Sequence, residues 1–176
     1  NGLVISEGCE VSFDYAPFPK LVNDPNIYNV GGLNAYTFEI EFMTQNVTDE
    51  NAVVCDMTDE RGDKKTGLQI TGSEIKFTTP NGESVSTRFK SGEMNRATIV
   101  IYPSKDNEGK FSKGLVQLYI NGILSNITKY TEGEVFEILK QDENNKTVSK
   151  NLTFKGVKGA DIVVKYIRAY EGALEG

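Results

Sequence analysis

The most informative stretch of the chain is Tyr36-Thr37-Phe38-Glu39-Ile40-Glu41-Phe42-Met43-Thr44. Its apolar side chains recur at every second position, at Phe38, Ile40 and Phe42, with Thr37, Glu39, Glu41 and Met43 between them. Successive side chains of a β-strand project to opposite faces of the sheet, whereas a helix needs a period of 3.6 residues. The stretch therefore predicts a strand with one face on the core and the other turned to solvent.

The same period of two recurs along the rest of the chain. No window of about a dozen residues shows the period of 3.6 that is typical of a helix. The period of two predicts further strands at 52–56, 67–71, 74–79, 84–89, 97–102, 115–121, 152–155 and 161–170. Stretches 16–32, 58–66 and 141–150 are rich in turn-forming or charged residues and are predicted to be surface loops. The fold class is all-β, and we expect a two-sheet antiparallel β-sandwich, a jelly roll of roughly a dozen strands.

The chain length fits one domain, because 176 residues can bury a single sizeable core. We find no internal repeat and no linker composition between two halves. The whole of 1–176 is therefore expected to form one jelly-roll domain, excised from or part of a larger protein.

Two Asn-Gly pairs predict tight hairpins, because Asn-Gly tolerates the positive φ angles of a type I′ turn. Asn81-Gly82 lies between the predicted strands at 74–79 and 84–89, and Asn121-Gly122 lies between Leu118-Tyr119-Ile120 and Ile123-Leu124. Gly72-Ser73 predicts a third turn between 68–70 and 75–77. Strands that follow one another in sequence are thus expected to pair in space.

The composition of the chain argues against several classes of function. Lys and Arg total 19 against 25 Asp and Glu, a net charge of −6, which argues against nucleic acid as a partner. No apolar run approaches the roughly 18 residues of a membrane span, so no membrane insertion is expected. The chain has no His, which removes the usual general base near neutral pH and the commonest metal ligand. The function classes that remain are catalysis by carboxylate groups and non-catalytic binding.

Cysteine use is equally restrictive, since Cys9 and Cys55 are the only two cysteines and form no C-x-x-C motif. A metal cluster bound by cysteines is excluded, because two cysteines 46 positions apart do not have the spacing of such a site. Each cysteine lies in a strand-like stretch, so the two either pair across strands or, in the simpler interpretation, remain buried free thiols.

Four stretches, in order along the chain, resemble the laminin G-like branch of the concanavalin A-like lectins and glucanases. The last stretch is the most specific, because members often end in Ile-Arg-x-Tyr followed by Ala-Leu, here Ile167-Arg168-Ala169-Tyr170 and then Ala173-Leu174. Many members carry Trp before the middle strand, where this chain has Met94-Asn95. The four stretches are Tyr36-Thr37-Phe38-Glu39-Ile40-Glu41-Phe42, Asn95-Arg96-Ala97-Thr98-Ile99-Val100-Ile101-Tyr102, Val116-Gln117-Leu118-Tyr119-Ile120-Asn121-Gly122 and 162–174.

The resemblance implies two stacked antiparallel sheets, one of them concave. Family members bind glycans, bind proteins, hydrolyse glucans or serve as structural parts of phage virions and cell-surface proteins, and the fold does not choose among these. The chain is rich in Asn, Lys, Glu and Ile and lacks Trp, a composition more typical of a phage or bacterial protein.

We interpret the chain as a non-catalytic carbohydrate-binding or adhesion module, a lectin of a virion structural protein or a bacterial surface protein. The expected location is the virion or the cell surface, and the expected partner is a cell-surface polysaccharide. The main alternative is a structural decoration that contacts neighbouring protein subunits. A glycoside hydrolase is the third interpretation, since Glu39 and Glu41 project from one strand face as the paired carboxylates of glucanases do.

The predicted glycan-binding residues are Glu39, Glu41, Gln117 and Tyr119, if their strands lie in the concave sheet. Gln117 and Tyr119 alternate with Val116, Leu118 and Ile120 and should face away from the core, where Tyr119 offers a ring for sugar stacking and Gln117 a hydrogen-bonding amide. The simpler interpretation of these positions is a solvated strand face that binds nothing.

The loops carry two further predictions. Tyr28, with Tyr15 and Phe18, is predicted either to form an aromatic rim at the binding site or to cap the open end of the core. Asp56, Asp59 and Asp63 lie close together in sequence beside Gly62 and are candidate ligands for Ca²⁺, although their spacing is not that of an EF-hand and charged loops are commonly just solvated. No other cofactor is expected.

Overall fold

The structure is a computed structural model that describes residues 2–14, 36–59, 67–78, 83–105, 111–130 and 150–171. Within these ranges the chain forms strands and their connections and no helix. No helix that could span a membrane is therefore found in the described ranges. The strands are β1 (Leu3–Ile5), β2 (Glu10–Asp14), β3 (Tyr36–Gln45), β4 (Val53–Asp59), β5 (Gly67–Thr71), β6 (Glu74–Thr78), β7 (Ser84–Arg88), β8 (Asn95–Lys105), β9 (Phe111–Ile120), β10 (Ile123–Tyr130), β11 (Lys150–Lys155) and β12 (Asp161–Glu171).

The strands form two six-stranded antiparallel sheets, which confirms the predicted all-β class and two-sheet architecture. The front sheet has the order β1-β12-β3-β8-β9-β10, and the back sheet has the order β2-β11-β4-β5-β6-β7. The core contains inward-facing side chains of both sheets, because period two gives each strand one apolar face. The largest fully buried side chains include Phe42, Ile40, Ile99, Ile70, Phe77 and Phe154.

The period of two located most strands to within a few residues. Strand β5 has the predicted bounds, and β3 begins where predicted and extends to Gln45. Strand β1 and most of β10 were missed, whereas β2 overlaps the strand-like stretch that begins at Cys9. The missed β1 has only three residues, and β10 has a register shift between Leu124 and Asn126 that interrupts its alternation.

The turn chemistry is confirmed where the structure describes it. Asn121 has a φ of 51° and Gly122 has a φ of 83°, the positive pair that a type I′ turn requires. Gly72-Ser73 joins the paired strands β5 and β6 as predicted. Strands β6 and β7 also pair, although Asn81-Gly82 itself lies outside the described residues.

The two cysteines are free, and their surroundings differ. Cys55 is buried in the core, as the simpler interpretation held, whereas Cys9 is exposed, so its predicted burial is wrong. Cys9 lies in the turn before β2, where its backbone N–H donates to the Ser6 carbonyl. It is therefore outside the strand that was expected to bury it. Burial raises the pKa of the Cys55 thiol, with a smaller contribution from neighbouring Asp56.

Candidate functional site

The four predicted glycan-binding residues that the structure describes lie on one surface. Side chains of directly paired antiparallel residues project to the same face of a sheet. Glu39 pairs with Thr98, and Thr98 pairs with Tyr119, while Arg168 pairs with Glu39 from the other side. We call the surface of the front sheet turned away from the back sheet the polar face, and its polar members include Glu39, Glu41, Arg96, Thr98, Gln117, Tyr119, Tyr166 and Arg168.

Glu39 is at the centre of the polar face, and both of its carboxylate oxygens accept hydrogen bonds. The Tyr166 hydroxyl donates to Oε1 at 2.8 Å, and the Thr98 hydroxyl donates to Oε2 at 3.3 Å. Burial raises the pKa of Tyr166, and the hydrogen bond to Glu39 raises it further, so the phenol stays a neutral donor. The carboxylate of Glu39 is thus held by two neighbouring strands in one orientation.

Glu41 lies two residues along the same strand and has a different partner. Its Oε1 is 3.4 Å from the Lys165 ammonium nitrogen, and Lys165 occupies a register shift between Val164 and Tyr166 in β12. The structure therefore confirms that Glu39 and Glu41 share a face. The two carboxylates differ in their partners, because Glu39 accepts hydrogen bonds from hydroxyl groups and Glu41 forms an ion pair with a lysine.

Tyr119 and Gln117 are joined to each other on β9. The Tyr119 hydroxyl donates to the Gln117 amide oxygen at 2.9 Å, and both side chains are half-buried. The bond spans two positions on one strand, a spacing that places both side chains on the same face. The prediction that they face away from the core is confirmed, and Val116 and Leu118 on the opposite face are fully buried.

Tyr166 and Arg168 belong to the polar face and were missed as site residues. The Arg168 guanidinium carbon is 4.2 Å from the centroid of the Tyr166 ring, a cation–π distance, and a hydrogen bond with Tyr170 raises the pKa of Arg168. The alternation of Tyr166, Arg168 and Tyr170 was the available signal, since three polar or aromatic residues at a spacing of two mark one face of a strand.

The centre of the polar face is less accessible than a solvated strand face would be. Thr37, Thr98 and Val100 are buried although they point away from the core. The Nε atom of Arg96 is also buried, and it has no hydrogen-bond partner among the described residues. The polar groups on this face are therefore ordered by their neighbours rather than freely hydrated.

The other predicted site residues are only partly described. Tyr28, Tyr15, Phe18 and Asp63 lie outside the described residues, and so does the side chain of Asp59. Asp59 belongs to β4 instead of the predicted loop 58–66.

Asp56 is buried on the back sheet, with its carboxylate 3.8 Å from the Lys155 ammonium nitrogen. Within the described ranges no three His, Cys, Asp or Glu side chains are grouped as metal ligands. Calcium binding by Asp56, Asp59 and Asp63 stays a prediction.

The protein is a two-sheet β-sandwich with an ordered polar surface on one sheet. Comparison with known proteins agrees with this class of fold. No family model and no curated protein matches the chain. Solved structures of botulinum neurotoxin binding domains do match, and the likeness at this sequence identity concerns the fold.

One of these structures belongs to botulinum neurotoxin type C, whose cell entry depends on interaction with two ganglioside molecules, and it has 11% identity and a TM-score of 0.55. Another is the binding domain of neurotoxin DC in complex with SialylT, with 13% identity and a TM-score of 0.56. A third is the same domain in complex with rat synaptotagmin II, with 12% identity and a TM-score of 0.56. Each match covers 97% of this chain and 39% of the neurotoxin chain. The chain thus spans about two fifths of the length of these neighbours.

Proposed function

We propose that the chain is a non-catalytic glycan-binding module and that the polar face is its binding surface. The observation that carries the proposal is the ordered array of Glu39, Gln117, Tyr119 and Tyr166 across three strands of the front sheet. Fixed carboxylate and amide groups bind sugar hydroxyls, and tyrosine rings bind the apolar faces of sugars. Because neighbouring side chains already orient these groups, little conformational entropy would be lost on binding.

The partners of the two glutamates favour binding over hydrolysis. A glycosidase needs one carboxylic acid that donates a proton and a second carboxylate that acts as nucleophile or base. Glu39 accepts hydrogen bonds at both oxygens, and Glu41 faces an ammonium group, so both are placed as acceptors. Neither arrangement provides a proton donor for a leaving group.

The matched neurotoxin structures support a binding role of a glycan or protein kind. Cell entry of the type C neurotoxin depends on interaction with two ganglioside molecules, and the neurotoxin DC binding domain forms complexes with SialylT and with synaptotagmin II. Because this chain spans only part of their length, the neighbours do not identify the ligand. We propose a cell-surface polysaccharide as the ligand and a virion or bacterial surface protein as the parent molecule, in keeping with the composition of the chain.

A second candidate function is contact with neighbouring protein subunits, and specific exposed side chains favour it. The two edge strands of the front sheet expose large apolar residues, Leu3 and Val4 on β1 and Ile123, Leu124 and Ile127 on β10. Exposed apolar edge strands are common points of protein association. In this alternative the polar face would bind nothing.

A glycan array with the isolated domain tests the proposal, with and without Ca²⁺. Tyr119→Ala and Glu41→Ala change the polar face, while Gln69→Ala on the back sheet and Glu50→Ala serve as matched controls. Glu50 is a suitable control because it is exposed and forms its own ion pair with Arg88 at 3.2 Å. We expect reproducible binding that both face variants lose and both controls keep. Calcium dependence would support Asp56, Asp59 and Asp63 as ligands. A blank array with folded protein would reject the proposal in favour of the subunit-contact function.

A further inference from the structure

The two lateral edges of the sandwich are closed to different extents. At one edge, the Asn126 side-chain amide on β10 donates to the Ser86 carbonyl on β7 at 2.8 Å and joins the sheets. At the other edge, β1 pairs with β12 only from Ile162 to Val164, although β12 continues to Glu171. The space between the sheets opens where this short pairing stops.

A cavity of about 370 Å³ occupies this open edge. Its apolar wall consists of Leu3, Ile5, Leu152, Phe154, Val164 and Ile167, from both sheets. Leu152 and Phe154 are fully buried, whereas Leu3 is 52% exposed, so the cavity extends from the solvent to the core. Its volume is within the range of small-molecule sites and near the lower limit of that range.

The remaining wall residues within the described ranges are Lys165 and Tyr166. Tyr166 donates its hydroxyl to Glu39, so its polar group is already bound on the polar face. The side chain of Lys165 is 48% exposed, and its ammonium nitrogen is 3.4 Å from Glu41. That distance exceeds the roughly 2.7–2.9 Å of a strong charge-assisted hydrogen bond, and an ammonium group has three donors. Lys165 can therefore accept a second anionic partner.

We propose that this cavity binds a single-chain amphiphile with an anionic headgroup, namely a free fatty acid. The aliphatic tail lies against the apolar wall, and the carboxylate binds the Lys165 ammonium. The apolar wall favours an apolar ligand, and the one formal charge among the described lining residues is positive, so an anionic headgroup is complementary. The small volume favours one alkyl chain over a two-chain lipid. The proposal does not rest on glycan binding, although Lys165 also pairs with Glu41 of the polar face.

Isothermal titration calorimetry with laurate below its micelle concentration tests the proposal. Leu3→Trp places a large ring at the cavity mouth, and Val4→Trp is a matched control, because Val4 is 53% exposed on the same strand and lies outside the cavity lining. We expect Leu3→Trp to weaken laurate binding by about tenfold or more and Val4→Trp to leave it unchanged. Equal effects of both variants, or no heat with wild-type protein, would overturn the proposal. Thermal melting checks that each variant is folded.

The headgroup is tested with Lys165→Gln and with dodecyltrimethylammonium, which has the same tail length and the opposite charge. We expect wild-type protein to prefer laurate and Lys165→Gln to lose that preference, while Lys158→Gln, at an exposed lysine outside the lining, retains it. A preference unaffected by Lys165→Gln would overturn the assignment of the headgroup. Sedimentation with anionic phosphatidylglycerol vesicles but no binding of soluble laurate would overturn the free fatty acid in favour of a membrane surface.

Discussion

The two faces of strand β3 are ordered by different forces. On the inner face, Phe38, Ile40 and Phe42 are buried against the back sheet, and the Phe42 ring packs edge-to-face with Phe89 at 4.9 Å. On the outer face, Glu39 and Glu41 are oriented by a hydroxyl pair and an ammonium group. Burial is non-directional and depends on volume, whereas hydrogen bonds and ion pairs depend on direction. The inner face therefore contributes most of the stability, and the outer face carries the oriented polar groups of the proposed binding surface.

The largest expected effect is on the inner face. Phe42→Ala should lower the free energy of unfolding by about 3–5 kcal/mol, because it removes a buried ring and leaves a cavity. Glu41→Ala, at the adjacent residue on the outer face, should cost less than about 1 kcal/mol, since its ion pair with Lys165 is partly exposed. Urea unfolding of both variants measures the contrast. Equal losses would show that the outer face is part of the stabilising core.

An intermediate effect is expected for the hydrogen bonds of the outer face. Tyr166→Phe should lower the free energy of unfolding by about 1.5 kcal/mol, because it removes a donor to the charged Glu39 carboxylate. Tyr119→Phe is the matched control, and it should cost about 0.5–1 kcal/mol, since its acceptor is the neutral Gln117 amide. Chemical denaturation of both variants gives the difference. A larger loss for Tyr119→Phe would contradict the central position of Glu39.

At neutral pH the smallest effect concerns the two cysteines, because it appears only at alkaline pH. Burial raises the pKa of Cys55 in the folded state, so its contribution to stability is fully present below the ordinary thiol value of 9.0. Above pH 9.0 the unfolded chain loses this proton while the folded chain keeps it. Stability should then fall by up to about 1.4 kcal/mol per pH unit until the folded-state pKa is reached.

Measuring the free energy of unfolding at about pH 8, 9 and 10, below and above the ordinary thiol pKa, distinguishes the two cysteines. Cys55→Ala should remove this part of the alkaline loss, whereas Cys9→Ala should retain it because Cys9 is exposed. An alkaline profile that Cys9→Ala flattens as much as Cys55→Ala would contradict the assignment to burial.

Much of the fold was predictable because strand pattern and turn chemistry are local. The alternation in β3 follows from three apolar residues at a spacing of two, and Asn121-Gly122 adopts the positive φ angles that its residue types tolerate. Strand β1 was not predictable in this way, since three residues are too few to show a period. Its strand conformation depends on pairing with residues 162–164, far away in sequence.

The candidate site was predictable in part, for the same reason. Alternation alone placed Glu39 with Glu41 and Gln117 with Tyr119, because each pair belongs to one strand. It could not show that Tyr166 reaches Glu39, since that contact joins β12 to β3.

By itself, the sequence determined the all-β class, most strand positions, the described turns and the separation of apolar from polar faces. These properties depend on side chains a few residues apart. Only the tertiary structure decided which strands are neighbours, which polar groups bind one another, and where β1 leaves the edge of the sandwich open. Those features depend on contacts between distant residues, and a strand's own alternation specifies its faces but not its partners.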